Sequence, residues 1–345
     1  MSIKTAIKIR AKRFSKIETL RDLCSLIRKH EQQVVLMAHQ PRYHRYEIPK
    51  SKGGLRLVED PEKKLKIVQT FINEHLQAFY SLIRPECVYG FVIKREAGED
   101  RTITGNAMQH LGCNYLLNVD LKDFFHQVSR VRVEEIFKIH FNHFHDELID
   151  ILARLTTYHD RLPMGAPSSP VLSNMASIEM DRELIQYSKH TGLVYSRYAD
   201  DLSFSTLDLM EPEHLDNIKS IISQCGFNVN PQKIKWFGHE DRKEITGILL
   251  DGNRLGLPEL YLEGLQKELM RYKSYMEVES RYRTGASAKK LKLFESELRG
   301  KINFALTVMP EDQGVGKLFD QFEEAKEIMQ DFESVSWLDL PYEFF

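Results

Sequence analysis

The segment LVYSRYADDLSFST (193–206) places Tyr198-Ala199-Asp200-Asp201 between two apolar, alternating runs. Alternation of this kind predicts strand, turn, strand, which confines two adjacent carboxylates to a tight turn. Like charges this close repel, and that cost is easiest to meet where cations sit among them. Taken alone, the tetrapeptide also fits an exposed acidic turn. A second apolar run, NYLLNV, leads into Asp120. If the two strands are neighbours, Asp120 and Asp200 bracket a place for two Mg²⁺ ions. Such ions sit roughly 3.5–4 Å apart, activating an attacking hydroxyl and stabilising a leaving pyrophosphate.

Helices and short strands are mixed along the chain without a recurring βαβ unit, which predicts an α+β fold rather than a doubly wound sheet. Ser15-x-x-Glu18 reads as a capping box ahead of a helix carrying Ile17, Leu20, Leu23, Cys24 and Ile27. Residues 43–61 read as a hairpin around the Lys50–Gly54 loop, and 61–83 as a helix with Leu65, Val68, Ile72, Leu76 and Phe79 on its core stripe. Further helices are expected from about Val131 to Tyr158, over Ser173–Tyr187 and over 213–225. Short strands are expected at 235–237 and 245–250, then mostly helix over 259–305. His140, His143 and His145 have no Cys or carboxylate partners to complete a metal set and read as a packed or solvated patch. Phe319, Phe322 and Ile328 would form the apolar face of a last helix.

Hydrophobic residues make up 42% and charged residues 28% of the 345, an ordinary globular balance that argues against wholesale disorder. No apolar run approaches the roughly 18–20 residues of a membrane span, and the charged first segment does not read as a secretory signal. Cys24, Cys87, Cys113 and Cys225 are scattered with no C-x-x-C pair, so a disulfide framework or zinc ribbon is not expected and a reducing cytoplasm is. The formal net charge of -2 conceals an asymmetry: residues 1–66 carry net +10, 254–301 net +4 and 311–345 net -8. Partners feel local charge, so basic flanks can grip a polyanion despite the near-neutral total.

NVDLKDFF, LPMGAPSSPVLSN, YADD and GFNVNPQK occur in the order of reverse-transcriptase palm motifs, after a fingers-like IPKSKGGLRLVEDP. The resemblance covers roughly residues 43–305. More narrowly, the chain resembles bacterial retron reverse transcriptases. Asn106-Ala107-Met108-Gln109-His110 matches that group's N-A-x-x-H element, and Ile245-Thr246-Gly247 resembles its V-T-G triplet with Ile for Val. The resemblance implies a right-hand polymerase with N-terminal helices and fingers over 1–112, palm over 113–253, a helical thumb over 254–310 and an acidic tail over 311–345.

Carried over by position, it makes Asp120 and Asp200 ligands of two Mg²⁺ ions, with Asp201 as the adjacent acid and the Leu121 carbonyl completing the coordination. Phe125 would be the gate that collides with a ribose 2′-OH. Lys50, Lys52 and Arg56 would neutralise the triphosphate of a dNTP. Met164 and Gly165 would pack beneath the incoming base; the family often has Gln where this chain has Met164. Lys233 would protonate the leaving pyrophosphate. Asn106, His110, Thr246 and Gly247 would recognise the retron's own structured noncoding RNA. Lys289 and Lys290 of the thumb, among basic residues interleaved with Tyr272, Tyr275 and Tyr282, would hold the RNA–DNA hybrid.

The implied product is branched RNA–DNA (msDNA) primed from an RNA 2′-OH, within an antiphage defence system that includes a separate effector protein. The acidic tail is a candidate docking surface for that effector or a second copy, or a solvated terminal helix. The alternatives are another bacterial reverse transcriptase, of group II intron or defence-associated kind, or a nucleoprotein scaffold restraining a toxin. The sequence has no Cys/His nuclease cluster after the palm-like elements, which favours the retron reading over the intron one.

Overall fold

The computed structural model describes residues 2–49, 53–282 and 288–334, with backbone alone for 279–282, 288–289 and 328–334. The chain divides into two compact units, Met1–Asp241 and Arg242–Phe345.

The first unit opens with three helices, α1 (Ile3–Phe14), α2 (Leu20–Ile27) and α3 (Glu31–His39). A hairpin of β1 (Tyr43–Pro49) and β2 (Leu55–Pro61) follows, then the long α4 (Lys63–Ile83) and short α5 (Ile103–Met108). Next come β3 (Tyr115–Asp120), a 3-10 turn at Phe124–Gln127, α6 (Arg130–His140), α7 (Asp146–Thr156), α8 (Ser169–Ala176) and α9 (Ile178–Thr191). The unit closes with β4 (Val194–Tyr198), β5 (Asp201–Thr206), α10 (Glu213–Gln224) and β6 (Lys235–Phe237). Strands β4, β5, β3 and β6 form one antiparallel sheet in that spatial order. Leu117 pairs with Phe204 and Val119 with Leu202. All four side chains are buried in the main apolar cluster with Val171, Leu172 and Met175 of α8. Each such burial contributes about 1.5–3 kcal/mol, so the alternation that predicted strands also fixes which face meets the helices.

Three helix boundaries differ from the sequence expectation. The capping box before α2 is Thr19–Asp22, with the Thr19 N–H donating to Asp22 Oδ2 at 2.9 Å and the Asp22 N–H to Thr19 Oγ1 at 3.3 Å. Ser15 instead ends α1, whose Ile7, Ala11 and Phe14 are buried. The single helix expected over 131–158 is broken between α6 and α7. There Phe141 and Phe144 turn inward, stack at 4.8 Å and meet the edge of Phe14 at 5.4 and 5.8 Å. The helix expected over 173–187 starts earlier, at Ser169, and is interrupted at Ser177 between α8 and α9. The extended run 245–250 resolves into part of a hairpin, described next.

The second unit contains an antiparallel meander of β7 (Lys243–Ile245), β8 (Ile248–Asp251) and β9 (Arg254–Gly256). Three helices follow, α11 (Glu259–Tyr282), α12 (Ala288–Val308) and α13 (Gln313–Ser334). Leu265, Leu269, Leu298, Ile302 and Phe322 are buried in this unit. Tyr272, expected among nucleic-acid-facing aromatics, is buried instead, 5.4 Å from the Phe322 ring and 5.9 Å from Phe294. Tyr275 is exposed, with the Arg271 guanidinium 5.4 Å from its ring centre. Phe322 supplies the expected apolar face of α13 and Phe319 is half-buried; the Ile328 side chain lies outside the described residues. No helix among the described residues is long and apolar enough to cross a membrane.

Candidate active site

The register of the sheet brings the acidic motifs together. Asp120, the last residue of β3, pairs directly with Asp201, the first of β5. Strands β4 and β5 are joined by a two-residue turn in which Tyr198 pairs with Asp201, leaving Ala199 and Asp200 at the tip. Ala199 has φ 58°, the sign that tight hairpin turns require to match strand twist. The loop after β3 is tied to this turn, because the Leu121 N–H donates to the Asp200 carbonyl at 2.9 Å. The Asn230 N–H donates to the Asp120 carbonyl at 2.8 Å, which brings the 3-10 turn Pro231–Lys233 alongside.

Electrostatics follow from this crowding. Burial, then Asp200 and Asp120, push the Asp201 carboxyl up to about 7. Asp200 is also raised, by burial and then by Asp120, while Lys233 and Arg56 oppose the shift. Lys233 Nζ donates to Asp120 Oδ2 at 2.7 Å. Desolvation lowers the Lys233 pKa, but the Asp120 hydrogen bond and the three carboxylates outweigh it, so the ammonium is held above its ordinary range. Two crowded carboxylates whose ionisation is opposed, Asp200 and Asp201, with Asp120 alongside, offer hard oxygen donors that suit a divalent cation. Among the described residues no three His, Cys, Asp or Glu side chains close into a cage. An open set fits Mg²⁺, which takes one or two carboxylates and fills its sphere with water and substrate phosphates.

A buried network holds the turn from behind. Arg197, with no exposed side-chain surface, donates Nε and Nη2 to the two oxygens of Asp181 at 2.8 and 2.6 Å, and Nη1 to Asn174 Oδ1 and the Ala199 carbonyl at 2.9 Å each. The Tyr195 hydroxyl donates to Asp181 Oδ1 at 2.9 Å. On the other side lies Gly90. A Cβ built there would collide with the Ala199 backbone nitrogen and stand 3.1 Å from the Tyr198 carbonyl carbon. Only glycine permits that approach. The approach is held by the Tyr89 N–H on the Arg197 carbonyl at 2.9 Å and the Asn174 amide on the Gly90 carbonyl at 3.0 Å.

The family profile described as reverse transcriptase (RNA-dependent DNA polymerase) matches residues 48–250, more than half of the chain. The chain belongs to the reverse transcriptase family. Curated relatives include the retron Ec86 reverse transcriptase of Escherichia coli, 29% identical over 219 residues, which are 63% of this chain and 65% of that one. The retron Mx65 reverse transcriptase of Myxococcus xanthus is 30% identical over 244 residues, 64% of this chain and 54% of that one. The chain thus matches somewhat less than two thirds of the length of these relatives. Among solved structures, telomerase from Candida albicans in complex with a TWJ fragment of telomeric RNA matches 88% of this chain and 66% of that chain, at TM-score 0.50 and 11% identity. That likeness speaks to fold alone, an α+β right-hand polymerase.

The other expected site residues of this family member fall into three groups. Some lie in the first unit with the carboxylates. Phe125 is half-buried, next to the buried Phe124. Arg56 is exposed on β2, close enough for its charge to act on Asp200. Met164 and Gly165 pack on the same strand: the Met164 carbonyl accepts from the Glu59 N–H at 2.6 Å, and a Cβ at Gly165 (φ 123°) would stand 3.0 Å from the Glu59 carbonyl. Others belong to the second unit: Thr246 and Gly247 form the β7–β8 turn, and Lys290 is exposed on α12. Lys50 and Lys52 lie outside the described residues, as does the side chain of Lys289.

Two are corrected. Asn106 and His110, expected at an RNA-recognising surface, are 0% and 1% exposed. The His110 ring bridges Ser205 Oγ at 2.6 Å from Nδ1 and Ser196 Oγ at 2.7 Å from Nε2. Burial lowers its pKa to about 3, so the ring is neutral and donates through one nitrogen only. His110 therefore braces the sheet from within, while Asn106 is buried on α5 with no hydrogen-bond partner for its side-chain amide.

Sequence reasoning passed over Gly90, Arg197, Asp181 and Glu59. The Glu59 carboxylate is fully buried and accepts from Arg161 Nη2 at 3.2 Å, with His126 Nε2 at 3.5 Å. The one signal in the sequence was the arginine just before the acidic turn in SRYADD, a charge at a position whose alternation points inward.

Proposed function

We propose that this chain is an RNA-directed DNA polymerase of retron type. One observation carries the reading: Asp120 pairs with Asp201 across β3 and β5 with Asp200 at the adjoining turn, in a chain whose curated relatives are retron reverse transcriptases. Two Mg²⁺ ions held by Asp120, Asp200, Asp201 and the Leu121 carbonyl would supply the charge that activates the primer oxygen and steadies the departing pyrophosphate. The chain's own residues do the rest. Arg56, with Lys50 and Lys52, holds the triphosphate of the incoming dNTP. Met164 and Gly165 pack under its base, and Phe125 excludes a 2′-hydroxyl. Lys233, protonated at neutral pH and already within hydrogen-bond reach of Asp120, is placed to give its proton from Nζ to the pyrophosphate.

The template and primer are one structured noncoding RNA, which must hold a 2′-oxygen in line with the α-phosphate, a positioning task before it is a chemical one. Thr246, Gly247, Lys289 and Lys290 are the residues offered for RNA contact. The product is branched msDNA, retained as an RNA–DNA particle in the cytoplasm and coupled to a separate effector in antiphage defence. The test is to purify the protein from its native locus and sequence the bound nucleic acid with and without debranching treatment. A discrete DNA joined to one RNA through a 2′-5′ link is expected. Unlinked, heterogeneous DNA contradicts the retron type, and RNA without DNA contradicts the polymerase.

A further inference from the structure

Phe91 carries an unusual combination of features that the assigned roles do not use. Its φ is 57°, a region in which a bulky residue is a genuine outlier. The ring is nonetheless 39% exposed, so the strain is not repaid by burying it. Two side-chain amides hold the strained peptide in place: Gln77 Nε2 donates to the Phe91 carbonyl at 3.0 Å, and Asn174 Nδ2 at 3.3 Å. Asn174 is the same side chain that accepts from Arg197 behind the acidic turn. The preceding residue, Gly90, is the one pressed against Ala199. Phe91 is therefore fixed to the catalytic turn through its own backbone. Its ring centre stands 5.8 Å from that of Phe125, at an interplanar angle of 33°. That separation lies within the range in which aromatic pairs attract each other.

We propose that Phe91 is a positioning residue for sugar selection, holding the Phe125 ring in the orientation that rejects a ribonucleoside triphosphate. The inference rests on the polymerase reading above and extends it to a second ring. Phe125 alone touches substrate; Phe91 acts through it. Backbone strain locked beside an active turn is the pattern expected where geometry matters more than local stability. The Gly90–Ala199 contact couples the position of this ring pair to that of Asp200. A neighbour that limits the gate's rotamers narrows the space left for a 2′-oxygen without a new polar contact.

The experiment measures kcat/KM for a dNTP and for the matching rNTP on an RNA template. It compares the unmodified protein, Phe91→Ala, Phe91→Tyr, Phe125→Ala and the Phe91→Ala/Phe125→Ala pair. Phe91→Ala is expected to lower the dNTP:rNTP preference by up to about tenfold, the factor an aromatic pair is worth. Phe91→Tyr, which keeps the ring, should restore the preference, and the double variant should match Phe125→Ala alone because the two act as a unit. A preference within about twofold of the unmodified protein in Phe91→Ala, while Phe125→Ala loses it, overturns the inference and leaves the polymerase reading intact. Additive losses in the double variant overturn it as well. An unmodified protein that incorporates no dNTP on RNA overturns the polymerase reading itself, and this inference with it.

Discussion

Among the described residues, two of the two-residue β-turns, one in each unit, hold a non-glycine residue at positive φ: Ala199 at 58° in the first unit and Thr246 at 49° in the second. Their settings differ. The Ala199 carbonyl accepts from the buried Arg197, the residue beside it is a carboxylate, and Gly90 closes the other side. Around the β7–β8 turn, Gly247 is exposed with nothing within 4 Å of where a Cβ would stand, and Thr246 Oγ1 has no hydrogen-bond partner. One turn is held by a hydrogen bond from a buried arginine and a close glycine, and the other carries a hydroxyl with no hydrogen-bond partner. A strained backbone thus has two meanings in one chain. At Ala199 it fixes where charge sits; at Thr246 it accompanies a buried hydroxyl with no hydrogen-bond partner, beside the exposed Gly247.

The largest way to break that contrast is to remove the charge behind the first turn. Arg197→Ala leaves Asp181 buried with only the Tyr195 hydroxyl. Stability should fall by about 3–5 kcal/mol, the usual result of orphaning a buried charge, read as a loss of denaturation midpoint. Gly90→Ala attacks from the other face. The fold should persist while dNTP incorporation drops by about 10²-fold, because a displacement near 1 Å in a catalytic constellation has effects of that order. Unchanged incorporation in this variant would mean that the Gly90 approach does not position Asp200.

Acidity offers a gentler probe. The Asp201 carboxyl titrates near 7 in the folded protein against an ordinary 3.8, so the folded state keeps a proton that the unfolded chain has already lost. Stability of the metal-free protein should therefore decline as pH rises from about 4 to 7 and level off above, and Asp201→Asn should flatten that slope. Thermal melts across this range measure it. The smallest effect belongs to the second turn: Thr246→Asn, which tolerates positive φ better, should raise stability by up to about 1 kcal/mol. A loss there would show that the Thr246 side chain supports the fold after all.

Much of this was legible in the residues. The alternation around YADD and the apolar run into Asp120 predicted two strands, and their pairing brings Asp120 and Asp201 face to face. What stayed hidden is tertiary. A capping box can be written at Ser15 or Thr19, and only the packing of α1 decides between them. His110 looks like a surface ligand until its two serine partners, Ser196 and Ser205, arrive from other strands. Gly90 and Phe91 carry no local signal, because Gly90 approaches Ala199, 109 positions on, and Phe91 meets Phe125, 34 positions on. The break at Phe141–Phe144 is of the same kind: helical periodicity runs through it, and two rings seeking the core override it.

The central claim is that the carboxylates at the ends of β3 and β5 perform nucleotidyl transfer on an RNA template. Its most direct test compares Mg²⁺-dependent dNTP incorporation by the unmodified protein and by Asp200→Asn, with folding of both checked by thermal melt. Templated incorporation is expected of the first and none above background of the second, which should melt no earlier because a crowded charge has been removed. Equal incorporation by a folded Asp200→Asn protein would contradict the claim.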